Sequence, residues 1–190
     1  MHKKLMFETK GNVELLSQKR IAVFASKNTP AELFRAAEEL FDIMSNLPLS
    51  IAGGWQAPLE KSLLQRADSD KCANYIIYLA QNISNFKLSL FMEKVMTEKK
   101  LLIVSPGIHQ ARASAFEIKK RDKLIFTQIK TILFLYISPG GMLEKYFNEL
   151  SQLKYQIFVL DHPLNHAFFT KDSIPVNQDN IEHLLGERKA

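Results

Sequence analysis

The sequence predicts an α/β protein, a doubly wound and mostly parallel sheet of about six strands with helices on both faces. Three observations carry this. Short apolar runs alternate with segments whose apolar residues recur at helical spacing, the pattern of strand–helix units that build a parallel sheet. The runs are continuous rather than alternating in polarity, as strands covered on both faces are. A chain of 190 residues, 46% of them hydrophobic, is long enough to bury a substantial core.

The elements follow in order. Residues 1–20 are polar and weakly patterned and form either a short helix or an extended arm. Ile21 to Ala25 is a buried strand closed by Ser26-Lys27-Asn28. Thr29-Pro30-Ala31-Glu32 has the form of a capping box with proline at the first helical position. Leu33, Phe34, Ala37, Leu40, Phe41 and Met44 then mark a helix. Leu49 to Ala52 is a short strand ending at Gly53-Gly54, and Pro58 to Ala67 reads as helix. Tyr75 to Leu79 is a strand, Leu88, Phe91, Met92 and Val95 mark a helix, and Leu101 to Val104 is a strand closed by Ser105-Pro106-Gly107. Ala113 to Ile129 is helical. Thr131 to Ile137 is the strongest strand, closed by Ser138-Pro139-Gly140-Gly141. Met142 to Leu153 is a helix and Tyr155 to Leu160 a strand closed by Asp161-His162-Pro163. Ile174-Pro175-Val176 falls in a loop, and Asn180 to Leu185 is a short closing helix. No Gly/Ser-rich linker or internal repeat divides residues 21–190, so they read as a single domain behind the 1–20 arm.

Composition narrows the function classes. The one cysteine, Cys72, allows no intrachain disulfide and no CxxC zinc site; it reads as a buried thiol in a reducing compartment. His162 and His166 are four apart but flank Pro163 in a loop, which removes helical ligand spacing, so no metal is expected. Met1 to Lys10 has lysines without an apolar run behind them and does not read as a signal peptide. The longest apolar run, Ile132 to Ile137, is too short to span a bilayer. A cytoplasmic protein with no membrane partner is expected. The net charge of +5 permits phosphate-bearing ligands without demanding them.

In such sheets ligands sit beyond the carboxyl ends of the strands, where strand order reverses. Ser26 and Lys27 precede a helix N-terminus, where free N–H groups favour an anion; an ordinary capped turn fits them equally. Gly53 and Gly54 let backbone approach a ligand, or simply make a tight turn. Trp55 either stacks on a base or covers the sheet edge. Ser138 to Gly141, with Gly140 and Gly141, is a candidate phosphate cradle. It is neither a Walker loop nor GxGxxG, so no cofactor is expected. In Lys119-Lys120-Arg121-Asp122-Lys123, helical geometry points Lys119 and Lys123 one way and Arg121 another. Glu144 is the carboxylate placed for acid–base work, or merely an acid in the first turn of a helix.

The order of these segments resembles the Rossmann-like domain of the DNA-processing protein DprA (Smf), within the wider group that includes the LOG-type nucleotide phosphoribohydrolases. IAVFASKN (21–28), GGWQAPLEKSLLQRA (53–67), LIVSPG (102–107), RDKLI (121–125), the strand and loop of 131–141, QIFVLDHP (156–163) and SIPV (173–176) each look like a family segment. Ala25, Lys27, Trp55 and Asp122-Lys123 depart from the family pattern. The DprA resemblance implies binding of single-stranded DNA through a basic pocket, as a homodimer that hands the strand to RecA in recombination or DNA uptake. It carries over Ser26, Lys27, Gly53, Gly54, Arg121, Lys123 and Gly140, with bases stacked on Trp55. The alternative rests on SPGGMLE (138–144), similar to the PGGxGTxxE motif of the LOG group but lacking its Gly-Thr pair. It implies a nucleoside 5′-monophosphate phosphoribohydrolase with Arg121 and Glu144 as catalytic residues. A third reading is a non-catalytic nucleotide-binding module.

Overall fold

A computed structural model describes residues 7–186; the start of the 1–20 arm and the last four residues of the 21–190 unit lie outside them. Eight strands form one sheet: β1 (Glu8–Gly11), β2 (Arg20–Ala25), β3 (Ser50–Gly53), β4 (Asn74–Tyr78), β5 (Leu101–Ser105), β6 (Thr131–Tyr136), β7 (Gln156–Leu160) and β8 (Ser173–Val176). Their order is β1-β5-β4-β3-β2-β6-β7-β8. All neighbours are parallel except β1, which runs antiparallel beside β5. The α-helices among the described residues are α1 (Glu32–Met44), α2 (Pro58–Arg66), α3 (Leu90–Thr97), α4 (Ala115–Gln128) and α5 (Met142–Ser151).

Side-chain alternation along the strands divides the core in two. On β2, Ile21, Val23 and Ala25 enter the core shared with α1, α2 and α3. Ala22 and Phe24 enter the core shared with α4 and α5. Each helix supplies an apolar stripe, such as Leu33, Ala37, Leu40, Phe41 and Met44 on α1. The doubly wound architecture is therefore the one the alternating pattern predicts.

Four local expectations are corrected. The described residues form eight strands rather than about six. The additions are β1, within the arm, and β8, which contains the Ile174-Pro175-Val176 segment read as a loop. Thr29 does not cap α1. Its hydroxyl donates to the Ser26 carbonyl at 2.6 Å, and the helix begins at Glu32 behind an uncapped Ala31. Cys72 is exposed rather than buried, because it stands in the turn ahead of β4 rather than within an apolar stripe. The segment after β7 winds into a 3-10 turn, Pro163–Phe168.

Candidate functional site

Strand order reverses at β2, which is flanked by β3 on one side and β6 on the other. Ligand crevices of doubly wound sheets open at that point. The two loops that leave it are tied together. The Ser138 N–H donates to Ser26 Oγ at 2.8 Å, and the Ser26 N–H donates to the Tyr136 carbonyl at 3.0 Å. Ser26 is thereby buried as part of the crevice wall, while Lys27 beside it is exposed.

The paired glycines at the end of β3 are occupied by this chain's own side chains. A Cβ on Gly54 would stand 2.5 Å from the Arg121 guanidinium carbon, so the guanidinium packs directly against the glycine. A Cβ on Gly53 would stand 3.4 Å from the indole of Trp55. Trp55 is 5% exposed. Its indole N–H donates to the Ile76 carbonyl at 3.2 Å, and its ring packs edge-on against Phe41. It belongs to the core rather than to a displayed loop tip, and what little of it is exposed lines a groove with residues of α2 and α3.

Arg121 reaches the crevice from α4 and is 6% exposed. Its Nη2 and Nε donate to Asp122 Oδ1 at 2.7 and 2.9 Å. Nη1 is buried without a hydrogen-bond partner among the described residues. A buried guanidinium N–H left unpaired is costly, and such a group marks a place where a ligand oxygen would be welcome. Two acids face the arginine. Burial pushes the Asp122 carboxyl above the usual carboxylate range, while Arg121 and the Tyr146 hydroxyl oppose that shift. Tyr146 is itself pushed up to about 12, first by burial and then by the Asp122 charge. The Glu60 carboxyl is also raised by burial, against the N–H groups it accepts and the Arg121 charge.

Glu60 accepts from the Ala25 N–H at 2.9 Å and the Gln56 N–H at 2.8 Å, joining the end of β2 to the start of α2. Reading the sequence alone passes over both acids. Glu60 had a local signal, an acid in the first turn of a helix opened by Pro58. Asp122 had none, since it looks like a solvated acid within a basic run.

The loop after β6 supplies the last wall. Gly140 has φ +73°, a left-handed conformation that favours glycine. A Cβ on Gly141 would stand 2.8 Å from the Ser138 carbonyl. The Gly140 N–H donates to the Glu144 carboxylate, so Glu144 closes the loop on itself. Ser26, Gly53, Gly54, Arg121 and the Ser138–Gly141 loop therefore cluster around the switch point. Lys119 and Lys123 do not join them; they line a separate groove between α4 and α5. No group of three or more His, Cys, Asp or Glu side chains able to hold a metal ion occurs among the described residues. No described helix is long and apolar enough to cross a membrane.

Fold and crevice together define a Rossmann-like α/β chain with a crevice at its topological switch point. Among solved structures it is similar to DNA processing protein A (DprA) of Helicobacter pylori, at TM-score 0.72 and 14% identity over 95% of this chain and 86% of that one. It is also similar to DprA of Streptococcus pneumoniae, at TM-score 0.70 and 14% identity over 97% of this chain. The chain spans 66% of that protein's length. A third similar structure is the molybdenum cofactor carrier protein of Chlamydomonas reinhardtii, at TM-score 0.59 and 12% identity over 89% of this chain and 99% of that one. No protein-family model matches the sequence, and no curated protein matches it. At these identities the likeness is one of fold. The H. pylori protein binds single-stranded DNA.

Proposed function

We propose that this chain binds single-stranded DNA at the switch-point crevice and acts in DNA processing. The observation that carries the reading is Arg121, held buried against Gly54 with Nη1 unengaged, beside the joined Ser26 and Ser138 loops. A guanidinium with an unengaged N–H is a phosphate-recognising group. Lys27 extends the positive charge to the rim. The likeness to the two DprA structures favours DNA as the bearer of the phosphate. Homodimerisation, transfer of the strand to RecA and a cytoplasmic setting belong to the same proposal.

A second reading, a single phosphorylated nucleotide, is favoured by one observation. The space beside Gly53 and Gly54 is already filled by Trp55 and Arg121, which narrows the crevice. In this reading Glu144 could assist departure of a base only after releasing the Gly140 N–H. Anisotropy of a labelled oligothymidylate at low salt separates the two. Strand binding is expected, weakened about tenfold in Gly54→Ala, whose new Cβ displaces the guanidinium, and less in Lys27→Gln. Affinity no greater than that of a neutral polymer, with a thermal shift on adding nucleoside monophosphate, assigns the site to a nucleotide instead.

A further inference from the structure

The groove between α4 and α5 encloses about 590 Å³ and combines two kinds of side chain. Lys119, Lys123 and Lys145 line it, with Glu149 as the one acid among them. Phe126, Tyr146 and Tyr155 line it as well, each half-buried. Phe126 and Tyr146 meet edge to face at 5.0 Å. The rings are held in place. The Tyr155 hydroxyl donates to the Phe126 carbonyl at 2.7 Å and accepts from the Lys130 ammonium, which stands over one side of the ring at 4.2 Å, and the Tyr146 hydroxyl interacts with Asp122. A tyrosine already fixed in this way loses little rotamer freedom when something stacks on it.

We infer that the α4–α5 groove is a base-stacking track for single-stranded nucleic acid, with Tyr146 and Tyr155 receiving bases and Lys119, Lys123 and Lys145 receiving phosphates. Lysines interleaved with aromatic rings along one groove are the combination that binds single strands without regard to sequence. The inference rests on the strand-binding reading above and supplies the stacking surface that buried Trp55 does not. Continuity supports it. A crossover helix runs back against its strands, so the first turns of α4 and α5 both lie at the carboxyl ends of the sheet. Tyr146 lines the groove and also interacts with Asp122, the partner of Arg121. A strand leaving Arg121 would enter the groove there.

The test uses the full chain with an oligothymidylate carrying 4-thiothymidine, photo-crosslinked and mapped by mass spectrometry, and compares that sequence with an abasic strand of equal length. Crosslinks on Tyr146 or Tyr155 are expected, together with an affinity about tenfold higher for the base-bearing strand. That ratio should fall toward one in Tyr155→Leu and in Tyr146→Leu, with melting curves reporting that each variant is folded. If the wild type binds both strands equally, or crosslinks only outside the groove, the stacking track is overturned while the crevice reading stands. If it binds neither strand, both readings fail. An acidic apolar peptide that occupies the groove while the strand stays bound would assign the groove to a protein partner and overturn the inference.

Discussion

Arg121 and Asp122 are neighbours on a helix, and successive helical residues ordinarily point apart. Here both are buried, and the guanidinium folds back onto the adjacent carboxylate. One carboxylate oxygen takes two donors while Nη1 has none among the described residues. Removing the arginine should be costly, because it takes the cation away from two buried carboxyls, Asp122 and Glu60. We expect Arg121→Leu to lose about 3 kcal/mol at pH 7, the scale for breaking a buried pair. The loss should shrink in acid. The folded-state pKa of Asp122 lies above its unfolded value, so the stability linked to its proton is full at low pH and fades as pH rises through the folded pKa. Glu60 has the same sign. Without the arginine both carboxyls move higher still, and protonation relieves the variant at a pH where the wild type gains little. Urea unfolding at pH 7 and pH 5 checks this; a deficit independent of pH would show that packing, not charge, holds the arginine.

At the scale of elements, legibility followed burial. β2, β4, β5 and β6 are covered on both faces and read as continuous apolar runs. β1, with sequence ETKG, is exposed at every position and has no apolar face to reveal it; only its pairing with Leu102 to Ser105 makes it a strand. β8 hides behind Pro175, which is tolerated because the strand lies at the sheet edge. The candidate site divides the same way. The loops at β2 and β6 announced themselves by position, whereas the burial of Trp55 and of Asp122 and the bond from the Ala25 N–H to Glu60 come from contacts between elements. Asn165 shows how much such contacts can hold. Fully buried, it donates to the Leu135 carbonyl at 3.0 Å and the Leu160 carbonyl at 2.9 Å, and accepts from the Ile137 N–H at 3.4 Å. It joins the carboxyl ends of β6 and β7. Asn165→Ala would orphan three backbone groups, and we expect a loss of about 3 kcal/mol in denaturant melts. Crosslinking and strand affinity should weaken with it, since the loop carrying Gly140 hangs from the end of β6. A variant of unchanged stability would mean those carbonyls find other partners.

For the whole molecule the decisive quantity is how affinity responds to salt. The excess of 25 basic over 20 acidic residues is small, so general attraction to nucleic acid is weak and the arrangement of charge must do the selecting. The arrangement here is a line of exposed cations. Lys27 stands at the crevice rim, and Lys119, Lys123 and Lys145 stand along the groove between α4 and α5. Arg121, already paired with Asp122, adds direction more than charge. A strand following this line would neutralise about four phosphates. For single-stranded nucleic acid each neutralised phosphate contributes about 0.7 to the slope of log affinity against log salt, so a slope of about −3 is expected. Lys119→Gln or Lys145→Gln should each reduce that slope by about 0.7 and leave base preference alone. Tyr155→Leu should do the reverse, lowering affinity at every salt concentration with the slope unchanged, because stacking releases no counterions. A slope near −1 would instead describe one phosphate in the crevice and an unused groove, which is the signature of a single nucleotide at Arg121.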